Sequence, residues 1–176
     1  MLLSPTMQKF VLHWGEMGTR WGVNRTVAQV HALLFVCPEP QHAEDIAATL
    51  AVARSNVSTS LRELQAWGLV RVVHVLGDRR DHFQTVKDVW EMFQVILEAR
   101  KRKEVDPTLA LLRECVAESR DPALVDDHAR ERLTELLAFF EMTTNWYLQV
   151  RRLPKKTLTK FVKMGDRVGK LLDGIH

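Results

Sequence analysis

Between Arg54 and Trp67 the chain reads RSNVSTSLRELQAW, which gathers hydroxyl, amide and guanidinium groups at helical spacing. Projected at about 100° per residue, Ser55, Thr59 and Arg62 share one face, flanked by Ser58, Asn56 and Glu63. Val57, Leu61 and Leu64 line the opposite face. The first set donates and accepts hydrogen bonds, and Arg54 adds a charge where the helix opens. A helix of this kind fits the major groove of a duplex, where such side chains meet base edges and phosphates. Further on, Gly77-Asp78-Arg79-Arg80 places two arginines in a turn. Arginines on an exposed tip reach phosphates or the adjacent minor groove. His82 is a candidate phosphate contact, the alternative being an exposed bystander. Asn24 and Arg25 open another helix and are candidate phosphate contacts from a helix start, although capping explains Asn24 by itself.

These residues need elements to hold them. Phe10, Trp14, Met17 and Trp21 recur at helical spacing, so the first segment is predicted to be an amphipathic helix; Gly15, Gly18 and Gly22 within it suggest close helix contact. Asn24 starts a second helix carrying Val27, Val30, His31, Leu33, Leu34 and Val36, stopped by Pro38 and Pro40. A third, short helix has Ile46, Ala47 and Leu50 inward and Glu44-Asp45 at its positive end. The fourth runs from about Arg54 to Trp67, and Gly68 ends it. The period then changes from 3.6 to 2. Leu69 to Leu76 is a β-branched strand and Asp81 to Thr85 the return strand, giving a two-stranded hairpin with a basic tip. The remainder reads as helical: Asp88 to Lys103, a helix that Pro107 starts or kinks through about Ser119, one from Pro122, and one from Pro154. The helix from Pro122 has Leu133, Leu136, Leu137, Phe140, Thr144 and Tyr147 on one face. That from Pro154 has Leu158, Phe161, Val162, Gly165, Val168 and Leu172.

Three helices followed at once by a hairpin make a winged helix-turn-helix. The run from Ala43 to Thr85 resembles the MarR class of transcriptional regulators, and more narrowly its GbsR branch. The carriers are Ser55-Asn56-Val57-Ser58 with Leu61-Arg62-Glu63-Leu64, then Trp67-Gly68-Leu69-Val70, then Gly77-Asp78-Arg79-Arg80-Asp81. The likeness extends upstream through Gly22-Val23-Asn24-Arg25-Thr26 and downstream through Asp88 to Phe93. It implies a homodimer on double-stranded DNA at a pseudo-palindromic operator, acting as a repressor and relieved by a small-molecule effector. Arg54, Ser55, Asn56, Ser58, Thr59 and Arg62 take the recognition-helix roles, and Arg79 and Arg80, with His82 beside them, the wing roles. The family often has Gly and Ser where this chain has Ala51 and Ala53. The expected fold is mainly α with a small β-hairpin wing. Residues 1–21 form an N-terminal dimerisation helix, 22–86 the DNA-binding domain, 87–106 a long connecting helix and 107–176 a C-terminal dimerisation region.

Trp14, Trp21, Trp90, Phe93, Trp146 and Tyr147 fall on apolar stripes and read first as helical core or dimer packing. The GbsR resemblance implies another use, an effector pocket for a choline-like quaternary ammonium ion, which aromatic faces attract.

Charge tempers the nucleic-acid reading. The 176 residues carry a formal charge of +3, and residues 43–85 hold five arginines against five carboxylates. Binding then depends on where the arginines point. From Arg151 onward Arg151, Arg152, Lys155, Lys156, Lys160, Lys163, Arg167 and Lys170 face only Asp166 and Asp173. That run is a solvated helix face or an extension of the DNA-facing surface. The alternative from another class is a winged helix that serves as a protein interaction module. A third is a thiol-based redox sensor using Cys37 or Cys115, whose bland reading is buried free thiols. The seven histidines show no metal-ligand spacing, so no metal is expected. No nucleotide-binding or hydrolase motif points to an enzyme, and no cofactor is implied. No stretch reaches the roughly 18 to 20 apolar residues of a membrane span, and no signal peptide is visible, which predicts a cytoplasmic protein.

Overall fold

The computed structural model describes residues 3–121 and 123–165. The side chain of Phe161 falls outside that description, as do Pro122, Asp166, Arg167, Val168, Lys170, Leu172 and Asp173, on which some of the expectations above rest. The chain divides into two compact units, Met1–Ala99 and Arg100–His176.

In the first unit the order is α1 (Pro5–Arg20), α2 (Arg25–Val36), β1 (Gln41–His42), α3 (Ala43–Leu50), α4 (Arg54–Ala66), β2 (Val70–Val75), β3 (Asp78–Thr85) and α5 (Val89–Arg100). The Ser4 hydroxyl accepts from the Met7 N–H and Asn24 Oδ1 from the Thr26 N–H, so both caps close open N-terminal turns. Asp88 does the same for α5, accepting from Trp90 and Glu91.

The core is built from one face of each helix. Val30, Leu33 and Leu34 of α2 meet Ile46 of α3 and Val57, Leu61 and Leu64 of α4, with Leu69, Val70 and Met92 closing the cluster. Each of these is at most 8% exposed. Helix α1 lies on α2 through its glycines. A Cβ at Gly18 would stand 2.5 Å from the Ala28 Cβ, and one at Gly15 would stand 2.7 Å from Gln29 Cγ. Close contact is therefore the reason for these two. Gly22 is different: it ends the helix at φ +74° with open space around it. The buried face of α1 is Val11, Gly15 and Gly18; Phe10, Trp14 and Met17 sit half-buried beside it and Trp21 is 58% exposed.

Two features differ from the sequence expectation. The sheet has three strands, order β1-β3-β2, because Gln41 and His42 pair with Phe83 and His82. The hairpin is also tighter than expected. Val75 pairs with Asp78, so the loop is Leu76-Gly77, and Arg79 and Arg80 lie on β3 rather than in a turn. Gly77 takes φ +86°, a left-handed value that glycine adopts without strain.

In the second unit a π-helical turn, Lys101–Val105, leads into α6 (Asp106–Glu118), followed by α7 (Asp127–Arg151) and α8 (Lys155–Lys163). The helix expected to end at Lys103 thus continues through the π-helical turn into α6, which has Pro107 in its first turn. The helix expected from Pro122 begins at Asp127 instead, where Asp126 Oδ1 accepts the Ala129 N–H. Helix α6 packs on α7, and Arg113 Nη2 reaches Glu141 Oε1 at 2.9 Å. Leu133, Leu137, Phe140, Thr144 and Tyr147 form a half-buried stripe of α7. Leu136, placed on that stripe by the sequence, belongs to a second face: Leu136, Phe139, Met142 and Trp146 are 44–63% exposed.

Candidate nucleic-acid interface

Helices α3 and α4 are joined by Ala51, Val52 and Ala53. Ala51 adopts φ +53°, ψ +42°, a left-handed conformation that L residues with a Cβ adopt at a cost. Ala53 stands at the N-cap of α4 and offers it no side-chain acceptor. Beyond this turn, α4 buries Val57, Ser60, Leu61 and Leu64 and turns Arg54, Ser55, Asn56, Thr59 and Arg62 to solvent. The structure thus brings the predicted polar stripe together on one open face. Among the described residues no side-chain bond engages Ser55 or Asn56. Arg62 Nη2 donates to Thr59 Oγ1 at 3.3 Å, within the stripe itself.

The start of the stripe is less free. Arg54 Nε donates to Glu44 Oε1 at 2.8 Å, and its Nη1 bonds the Ser58 hydroxyl, which itself donates to the Arg54 carbonyl. The Arg54 hydrogen bond holds the Glu44 carboxyl down at about 2, well below the usual range. Glu44 therefore remains charged at neutral pH and keeps Arg54 on α3.

The wing separates its two arginines. Arg79 is exposed with no partner among the described residues. Arg80 is tied down: its Nε donates to both Asp78 oxygens at 2.9 and 3.0 Å, its Nη2 pairs with the same carboxylate, and its Nη1 lies 2.9 Å from His42 Nε2. The guanidinium in turn holds the Asp78 carboxyl well below the ordinary carboxylate range.

His82 stands apart from the phosphate-facing position expected of it. Its side chain is 9% exposed, with Nδ1 3.0 Å from the Arg80 carbonyl oxygen and Nε2 3.6 Å from Asp78 Oδ2. His82 shares a strand face with Asp78 and Arg80 and stands across from His42 of the neighbouring strand, which covers it.

Asn24 and Arg25 are exposed at the start of α2, with Asn24 acting as cap. Within the first unit Phe10 and Trp14 form one pair and Trp90 and Phe93 another, with Trp21 and Phe93 largely exposed. Trp146 and Tyr147 belong to α7 of the second unit. Cys37 is buried and Cys115 half-buried, both free. Burial pushes the Cys37 thiol up, away from the thiolate a redox sensor needs. Among the described residues no group of His, Cys, Asp and Glu is placed to hold a metal ion, and no helix is long and apolar enough to cross a membrane.

Two participants had no sequence signal of their own. His42, at the N-cap of α3, contacts Glu44, Asp45 and Arg80. Lys87 donates into the C-terminal turn of α2.

Comparison with known proteins places this geometry. Residues 21–81 match the model of the MarR family. A curated relative, the HTH-type transcriptional regulator MmpR5 of Mycobacterium tuberculosis, is 32% identical over 81 residues. That match covers 46% of this chain and spans about half, 49%, of the relative. A crystal structure described as that of a transcriptional regulator superposes with a TM-score of 0.64 at 24% identity, covering 84% of this chain and 96% of that one. A mutant of MepR from S. aureus, solved bound to an oligodeoxyribonucleotide, aligns over 97% of this chain and 91% of its own at 14% identity and a TM-score of 0.38. The fold is that of a winged helix-turn-helix.

Proposed function

We propose that the chain is a MarR-type transcriptional regulator, a repressor that binds double-stranded DNA as a homodimer at a pseudo-palindromic operator. One observation carries this reading. Ser55, Asn56, Thr59 and Arg62 stand open on one face of α4 while the opposite face is anchored in the core. A rigid helix whose open hydrogen-bonding face bonds only within itself suits major-groove readout, and Arg79 at the wing suits a phosphate. The outward face of α7, with Leu136, Phe139, Met142 and Trp146, supports the dimer, since apolar patches of this kind mark interfaces. Two half-sites about one helical turn apart would match the two-fold axis. The family match reaches MarR and stops short of the GbsR branch. Such a regulator works beside its DNA, in the cytoplasm.

A second reading, a protein interaction module, draws on Arg54 and Arg80 being neutralised by Glu44 and Asp78. Salt decides between them. Fluorescence anisotropy on the upstream region of the protein's own gene, against a scrambled duplex, should show tighter binding to the native fragment. Affinity should fall steeply as salt rises, because bound counterions are released. No binding to either duplex at low salt would favour the interaction module.

A further inference from the structure

His42 stands where three elements meet. It ends β1, caps α3 and pairs across the sheet with His82 of β3. Its side chain is 10% exposed, and each ring nitrogen faces one carboxylate and one donor. Nδ1 lies 3.0 Å from Glu44 Oε2 and 3.3 Å from the Asp45 backbone nitrogen. Nε2 lies 2.7 Å from Asp45 Oδ2 and 2.9 Å from Arg80 Nη1.

A ring nitrogen either carries a proton and donates or lacks one and accepts. A neutral ring has one lone pair: with its proton on Nδ1 it accepts from Arg80 at Nε2 and donates to Glu44, and with its proton on Nε2 it donates to Asp45 Oδ2 and accepts the Asp45 N–H at Nδ1. A protonated ring has none. It donates to Glu44 and to Asp45, and it opposes the Arg80 cation with a like charge. Adding one proton to the Nδ1–H form thus exchanges Arg80 for Asp45 as the partner of Nε2. The surrounding charges frame this exchange. Asp78 retains Arg80 from the other side and lies 3.6 Å from His82 Nε2, and the His82 ring meets His42 edge-on at 5.7 Å. Arg54 of α4 holds the second oxygen of Glu44.

We propose that His42 is a positioning residue for the wing: neutral with its proton on Nδ1, it latches Arg80 to the root of the sheet; protonated, it leaves the guanidinium to Asp78 alone, so that only that pair must open for Arg80 to reach a phosphate. This rests on the reading of the chain as a DNA-binding protein and extends it to a wing whose reach follows the protonation of one histidine.

The latch can be tested without DNA. In the full chain, ring ¹⁵N signals of His42 and the ¹⁵Nε signal of Arg80 are followed in a pH titration from about pH 8 to about pH 5. Expected is a common midpoint, with the Arg80 response lost in His42→Asn, a variant that keeps a good N-cap. His42→Gln is the second variant should the first fold poorly, and His82→Gln should retain the response. A second arm compares the Kd of Arg80→Ala with that of the wild type on one duplex. The ratio should grow about threefold or more from about pH 8 to about pH 6, the scale of one modest charged contact. In the His42 variants it should stay constant. An Arg80 signal indifferent to His42, or a ratio that shifts equally in His42→Asn, overturns the proposal. A coupled signal in a protein that binds no duplex would support the latch and sink the DNA-binding reading.

Discussion

Lys87 Nζ lies 2.7 Å from the carbonyl oxygen of Leu34 and 3.0 Å from that of Phe35, and it also donates to the carbonyl of Cys37. The last carbonyls of a helix have no partner within it and carry its negative end. Helix α2 leaves them in extended backbone at Cys37, without a glycine to fold them back. Lys87, arriving from the segment between β3 and α5, supplies the missing donors. Replacing it by Met keeps the stem and removes all three bonds. Urea unfolding should report a loss of about 1–2 kcal/mol, since Lys87 is partly solvated, with an unchanged m-value.

The turn before α4 leaves room for improvement. Ala51 holds a left-handed conformation that glycine adopts freely, and Ala53 occupies a cap position without an oxygen. Ala51→Gly and Ala53→Ser should each raise stability by about 1 kcal/mol, read as a higher midpoint in thermal unfolding. Neither side chain lies on the reading face, so DNA affinity should hold within about twofold.

Both alanines were legible in the sequence because they are local: each is a residue type at a turn position. The same holds for α4, whose apolar and polar stripes are set by neighbours three and four residues away. What escaped depends on distant partners. Strand β1 has two residues and exists only through pairing with β3, some forty positions on. By sequence both arginines belong to the turn, since Gly77-Asp78 is a strong turn signal. Pairing of Val75 with Asp78 moved the loop to Leu76-Gly77, and Asp78 then drew Arg80 inward. In α7 the nearer cap won: Asp126, beside a second aspartate, set the start that a proline had suggested.

Acid should weaken the fold before any carboxylate is protonated. His31 is 4% exposed beside the Trp14 ring, and its Nε2 has no partner among the described residues. Burial lowers it from 6.5 to about 4. The unfolded chain then binds a proton below 6.5 that the folded chain refuses. The contribution of this group is constant above that value, and it lowers stability as pH drops from about 6.5 to about 4, by about 3 kcal/mol at most. Glu44 and Asp78 are depressed in the folded chain, so their contribution is lost only at lower pH. Denaturant titrations at about pH 7.5 and about pH 4.5 should separate these ranges. His31→Leu should flatten the upper one and leave stability at neutral pH unchanged or higher. An equal slope in that variant would assign the acid sensitivity elsewhere.

Arg62 and Arg79 are both exposed and differ in what surrounds them. Arg62 belongs to a helix face with Thr59, Ser55 and Asn56, a set able to tell one base edge from another. Arg79 rises from a strand beside a loop of Leu76 and Gly77, with a charge to offer and no hydrogen-bonding neighbours aligned with it. Arg62→Ala should therefore cost about 1–3 kcal/mol on the operator and narrow the gap between operator and scrambled duplex. Arg79→Ala should weaken both duplexes alike and reduce the slope of log K against log salt by about one. Competition anisotropy at two salt concentrations measures all four quantities. Equal, sequence-independent losses from both variants would place Arg62 on the backbone and leave base reading to Ser55, Asn56 and Thr59.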